Sequence, residues 1–362
     1  MRIHLAIFLT AALATAVLPA APVPKTKVLV IAHRGASGHR PEHTLAAYEL
    51  AIEMGADFVE PDLVSTKDGH LVARHENEIS GTTDVASRPE FAPRKTTKRI
   101  DGEAVTGWFI EDFTLAELKK LRARERIPQL RPGNAGYDGR FEVPTLQEVI
   151  DLVKREGARR RRTVGIYPET KHPSYFDSIG LSLEEPLVET LHRNGYRDPS
   201  SPIFIQSFEV RNLKELRRMT RLPLIQLLYD KGQPYDFTLK GDPRTYADML
   251  TPAGLSEIAT YARGVGVYKN LIIPRDRDER LLRPTRLVED AHRLGLLVHV
   301  WTFRSENNFL PSHLRRGPQT NPNFLGLHGD AAAEYELFFR LKIDGVFTDH
   351  PADAVAARKA YE

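Results

Sequence analysis

Hydrophobic positions along this chain follow two alternating periods. Short runs rich in Val, Ile and Leu fall at residues 28–32, 58–64, 163–167, 203–205, 224–228, 265–268, 296–301 and 345–347. Between them, apolar residues recur at helical spacing over 44–54, 144–155, 184–193, 210–219, 252–263, 285–294 and 331–341. Strands covered on both faces read as continuous apolar runs, and their alternation with helices is the pattern of parallel strands joined by crossovers. Eight such strands predict an α/β fold, a (β/α)8 TIM barrel with its active site at the carboxyl ends of the strands.

Two stretches break the rhythm. Residues 77–141 form a long insertion after strand 2, rich in charge, Pro and Gly, in which only 114–121 reads as a helix. There Thr114 stands as N-cap and Glu117 completes a capping box. Residues 304–329 form a smaller insertion after strand 7. Long loops at the catalytic end of a barrel shape the pocket, so both are assigned to specificity and not to chemistry. With no repeat and no linker, 22–362 reads as a single domain.

The amino terminus changes the expected location. Arg2 precedes an apolar run from Leu5 to Leu18, too short to span a bilayer comfortably, followed by small residues such as Ala20 and Ala21. Residues 1–21 are expected to be a signal peptide, and the mature protein to be periplasmic or secreted, without stable membrane insertion. The 362 residues include 0 Cys, so neither disulfides nor thiolate metal sites are available. With 51 basic against 48 acidic residues the net charge is +3, which argues against a nucleic-acid partner. The run Arg159-Arg160-Arg161-Arg162 reads as a solvated face at the negative end of a helix dipole.

Three predicted strands run straight into charge: 28–32 into His33-Arg34, 58–64 through Glu60-Pro61-Asp62, and 163–167 into Glu169-Thr170-Lys171. Residues i and i+2 of a strand share a face, so Glu60 with Asp62, and Glu169 with Lys171, converge. Gathering three carboxylates is costly unless a cation neutralises them, and an all-oxygen set suits Ca2+ or Mg2+. His33 and His75 are the candidate acid/base pair, because one imidazole near neutral pH can accept a proton while a charged one donates. Arg34 and Lys171 supply fixed positive charge for phosphate oxygens. Trp301 and Phe208 offer a flat apolar wall, and Gln206 and Asp349 are weaker polar candidates. His43, His172 and His350 receive no role.

The segments Ala32-His33-Arg34-Gly35-Ala36-Ser37-Gly38, Pro41-Glu42-His43-Thr44, Glu60-Pro61-Asp62 and His75 resemble the glycerophosphodiester phosphodiesterase family. Further matches are Glu169-Thr170-Lys171, Gln206-Ser207-Phe208, Val300-Trp301-Thr302 and the run from Asp344 to Asp349, so the resemblance covers the mature chain. The expected signal peptide, the long insertion after strand 2 and the Pro41-Glu42-His43-Thr44 wording are similar to the periplasmic glycerophosphoryl-diester branch, whereas many family members carry Asn in place of His43. The resemblance implies one divalent cation on Glu60, Asp62 and Glu169, with Ca2+ ahead of Mg2+. It implies catalysis by His33 and His75, a substrate side comprising Arg34, Lys171, Glu42, Gln206 and Trp301, and an orienting part for Glu42 on His33 or Arg34. The expected reaction is hydrolysis of small glycerophosphodiesters, deacylated phospholipids, to sn-glycerol 3-phosphate and an alcohol. Two alternatives stand beside it: a phospholipase D-like enzyme, which would need an apolar rim, and a non-catalytic phosphodiester-binding protein, which would not need paired imidazoles.

Overall fold

The computed structural model describes residues 27–362, so the expected signal peptide at 1–21 lies outside the described residues. Its strands are β1 Leu29–His33, β2 Phe58–Glu60, β3 Asp62–Ser65, β4 Leu71–Ala73, β5 Thr96–Ile100, β6 Glu103–Gly107, β7 Gly165–Ile166, β8 Glu169–Thr170, β9 Ile205–Ser207, β10 Leu224–Leu228, β11 Gly264–Tyr268, β12 Leu297–Phe303 and β13 Gly345–Thr348. Eleven of them form one curled sheet, and β5 with β6 forms a separate hairpin. β1 pairs in parallel with β13 on one side and β2 on the other. β2 pairs with β7, β3 with β8 and β8 with β9, after which β9 to β13 follow in order. Strand pairing thus returns to β1.

Prolines interrupt the ladder twice. The expected run 58–64 divides at Pro61 into β2 and β3, and the strand expected at 163–167 appears as β7, with a further short strand β8 beyond Pro168 that was not expected. Proline has no N–H to give a ladder, so pairing stops and restarts one residue on. The register across these breaks sets the site. His33 lies opposite Glu60, Asp62 opposite Glu169, and Glu169 opposite Gln206.

The helices form where caps and apolar stripes coincide. Leu45–Glu53 starts at Thr44, whose side chain accepts from the Ala47 N–H. Leu146–Arg160 starts at a capping box of Thr145 and Glu148, buries Val149, Ile150 and Val153, and stops at Arg161 in a left-handed conformation. The arginine run beyond is not wholly a solvated face. Arg162 donates to the carbonyls of Ile52 and Ala56, closing the end of the neighbouring helix. A small cluster of Ile31, Phe58, Tyr167, Ile225 and Phe347 packs apart from the main core, with Trp301 against it. Removing a side chain such as Ile225 to Ala there costs ~2–5 kcal/mol.

The 77–141 insertion is more ordered than its composition suggests. Besides the capped turn Leu115–Leu118 it contains the β5–β6 hairpin, turning at Asp101-Gly102, and a short helix Pro132–Ala135. Among the described residues no helix is long and apolar enough to cross a membrane.

Candidate active site

A cavity of about 560 Å³ opens at the carboxyl ends of the strands. His33, Arg34, Glu60, Asp62, His75, Glu169, Lys171, Gln206 and Trp301 all line it. Carboxylate oxygens of Glu60, Asp62 and Glu169 lie within 4.8 Å of one another, and all three residues are buried. Burial, then the neighbouring carboxylates, push the Glu60 carboxyl well above the ordinary range. Glu169 is raised too, by burial and by Asp62 against the pull of Lys171. Burial acts the same way on Asp62, but His75, Lys171 and His43 outweigh it and hold that carboxyl low. Asp62 Oδ1 is buried without a hydrogen-bond partner. An all-oxygen donor set with a free buried oxygen, two of whose members otherwise take up protons, fits a hard divalent cation.

Each imidazole is backed by a carboxylate. His33 Nδ1 lies 2.7 Å from Asp349 Oδ1. His75 Nδ1 lies 2.5 Å from Glu76 Oε1, while Lys171 Nζ donates to its Nε2 at 3.4 Å. A carboxylate on Nδ1 holds the proton there and leaves Nε2 as the working nitrogen. Burial, then Arg34, pull the His33 pKa down to about 4 against the upward effect of Asp349. His75 is lowered by burial, Arg34 and Lys171. Burial first, and the neighbouring cations second, thus favour the neutral form of both rings in the free site.

The cations are tied to the acids. Arg34 donates its backbone N–H to Glu60 Oε2 at 2.8 Å, and its guanidinium reaches Glu42 at 3.2 Å. Lys171 Nζ donates to Glu169 Oε1 at 2.7 Å, and Gln206 Nε2 donates to Glu60 Oε1 at 3.1 Å. Opposite them, Trp301 stacks on Tyr229 with ring centroids 5.5 Å apart and packs on Tyr268 and Phe208.

The chain matches the family profile described as the glycerophosphoryl diester phosphodiesterase family over residues 33–353. It belongs to that family. A glycerophosphodiester phosphodiesterase of Arabidopsis thaliana is 38% identical, covering 91% of this chain and 85% of its own length. One from Haemophilus influenzae is 28% identical, with 91% and 90% covered. Among solved structures, a glycerophosphoryl diester phosphodiesterase of Silicibacter pomeroyi superposes with a TM-score of 0.63 at 21% identity, covering 92% of this chain and 94% of the other. A phosphodiesterase of Oleispira antarctica, solved with the product sn-glycerol-3-phosphate, gives 0.55 at 20% identity, covering 92% and 97%. Those folds support the TIM-barrel class, and membership makes the chain a phosphoric diester hydrolase.

Within this family member, several residues act differently from their expected parts. Glu42 does not line the main cavity. It pairs with Arg34 and Arg126 and, together with His33, lines a smaller chamber of about 170 Å³, so it positions Arg34, one of the two orienting parts expected of it. The 77–141 insertion is not confined to specificity. Its Arg126 bridges Glu42 and Glu76, and its Arg131 bridges Glu306 and Asp349, so it braces both imidazole carboxylates. From the second insertion, Arg304 donates to Asp349 Oδ2 at 2.7 Å. His43, given no role from sequence, fixes Asp62 through Nε2 at 2.9 Å and meets Tyr48 through Nδ1. His172 pairs instead with Asp101 of the hairpin turn.

Proposed function

We propose that the protein cleaves small glycerophosphodiesters with the help of one divalent cation, Ca2+ ahead of Mg2+, releasing sn-glycerol 3-phosphate and the head-group alcohol. The observation that carries this reading is the meeting of three carboxylates, two carboxylate-backed imidazoles, Arg34 and Lys171 in one cavity. Glu60, Asp62 and Glu169 would hold the ion, which when bound supplies positive charge to the phosphate oxygens. Arg34 and Lys171 face the same charge and favour its growth in the transition state. Nε2 of one imidazole accepts a proton from the attacking hydroxyl, an oxygen–phosphorus bond forms, and the bond to the opposite ester oxygen breaks. The other imidazole, whose proton affinity rises beside the substrate anion, takes up a proton from solvent at Nε2 and passes it to the departing oxygen.

The lipid alternative finds less support. Of the exposed large hydrophobic residues among those described, Tyr229 lines the cavity and the others lie elsewhere. A pure binding protein would not need two imidazoles each held in one tautomer. Export to the periplasm or outside the cell, as in the periplasmic branch, remains part of the proposal and rests on residues 1–21 of the sequence. Product analysis by phosphorus NMR on glycerophosphocholine tests the reading. Glycerol 3-phosphate that disappears with chelator and returns with Ca2+ supports it; turnover indifferent to chelator overturns the metal, and intact substrate under every ion overturns the activity.

A further inference from the structure

A second cluster of metal-type donors lies outside the carboxylate trio. Glu306 and His328 come from the insertion after β12, where their backbones bridge, and His350 opens the final helix Pro351–Tyr361. One donor atom from each lies within 4.8 Å of the other two. Two of the donors are buried, each with one atom that makes no hydrogen bond, and they lie 3.7 Å apart between Glu306 Oε1 and His350 Nε2. Glu306 is 1% exposed with Oε2 unpartnered, and His350 is 0% exposed with Nε2 unpartnered. A buried polar atom left without a partner costs about 1–3 kcal/mol, so two facing one space point to a missing ligand. His328 is exposed and packs edge-on to His350 with ring centroids 4.9 Å apart, while His39 packs on the same ring at 5.2 Å. Gly38 makes room for that ring, since a Cβ there would collide with it.

We infer that Glu306, His328 and His350 form a second metal site of zinc class, chemically distinct from the oxygen site of the reaction. Two imidazoles, one carboxylate and an open position suit Zn2+ and its neighbours Co2+ and Ni2+, whereas Ca2+ and Mg2+ prefer all-oxygen sets. Glu306 Oε1 accepts from Arg131 Nε at 2.5 Å and lies 3.7 Å from His350 Nε2, while Oε2 is left without a hydrogen bond. His350 Nδ1 accepts a long 3.3 Å bond from the Ser305 N–H. Binding at Nε2 moves the ring proton to Nδ1 and ends that bond, which is the local cost. The ion would join the second insertion to the last helix, and Arg131 would relay its effect to Asp349.

The test uses the full mature protein, stripped of metal and then kept in excess Ca2+ so that the oxygen site is filled, before Zn2+ is titrated by calorimetry. One equivalent of zinc is expected, and Co2+ in its place should give the visible absorption of a four-coordinate ion. His328→Ala, an exposed change that leaves the fold intact, should weaken zinc binding by ~100-fold or more, at or beyond the upper end of what loss of an outer partner costs. Glu169→Gln should leave zinc uptake unchanged. No zinc retained over Ca2+, or equal retention by His328→Ala, overturns the site; loss with Glu169→Gln alone places the zinc on the carboxylate trio and overturns it equally. None of these outcomes depends on phosphodiester turnover.

Discussion

His33 and Asp349 lie at opposite ends of the described chain, yet His33 Nδ1 sits 2.7 Å from Asp349 Oδ1, with the Asp349 side chain only 3% exposed. The pairing of β1 with β13 brings them together. Asp349 also receives Arg131 and Arg304; burial pushes its carboxyl up, but these cations outweigh it and hold it well below the ordinary range.

Replacing that carboxylate by an amide, Asp349→Asn, keeps the volume and removes the group that fixes the His33 proton on Nδ1. Turnover should fall by ~10²–10⁴-fold with a much smaller change in KM, as when a positioned base loses its tautomer. Steady-state kinetics beside a circular dichroism spectrum checks this. A fall in KM affinity alone would assign Asp349 to binding.

Arg126 tests whether the long insertion serves chemistry. It joins Glu42 behind Arg34 to Glu76 behind His75. Arg126→Ala should therefore lower kcat/KM by ~10–100-fold, the scale for loss of an orienting partner. Arg126→Lys should recover only part, because a point charge cannot span two carboxylates as a planar fork does. Unaltered turnover in Arg126→Ala would return the insertion to a purely specificity-shaping part.

Acid stability has a separate source in His299, a fully buried ring that meets Tyr167 Oη at 2.7 Å. Burial lowers its pKa to about 4. Unfolded, the same imidazole binds its proton near pH ~6.5. Between those values the unfolded chain binds more protons, so this contribution is complete above ~6.5 and is lost as pH falls towards 4. Its full size is about 3 kcal/mol. Chemical denaturation of the wild type and of His299→Gln across this window should show a shallower acid limb in the variant. Parallel slopes would contradict the assignment.

The strands were legible because burial on both sides leaves continuous apolar runs, and Leu224–Leu228 lies where its pattern placed it. The breaks at Pro61 and Pro168 follow from the missing proline N–H, and both prolines stand in the sequence. The β5–β6 hairpin carried a signal that went unread: Asp101-Gly102, with φ of 46° and 89°, is a two-residue turn between β-rich segments. Glu60, Asp62, Glu169 and both imidazoles were legible as charge at strand ends. The braces were not. Arg126 meets Glu42 across 84 positions and Arg131 meets Asp349 across 218, and an arginine in a polar insertion has no periodicity that announces such a partner.

Calcium titration of the metal-stripped protein, followed by calorimetry and by turnover of glycerophosphocholine in the same samples, bears most directly on the carboxylate trio. The expected result is one bound Ca2+ whose saturation tracks recovered activity, a rise in thermal stability equivalent to ~2.7 kcal/mol at a hundredfold excess over Kd, and loss of all three effects in Glu169→Gln. Full activity in the stripped protein, or calcium binding undiminished by Glu169→Gln, would contradict the site.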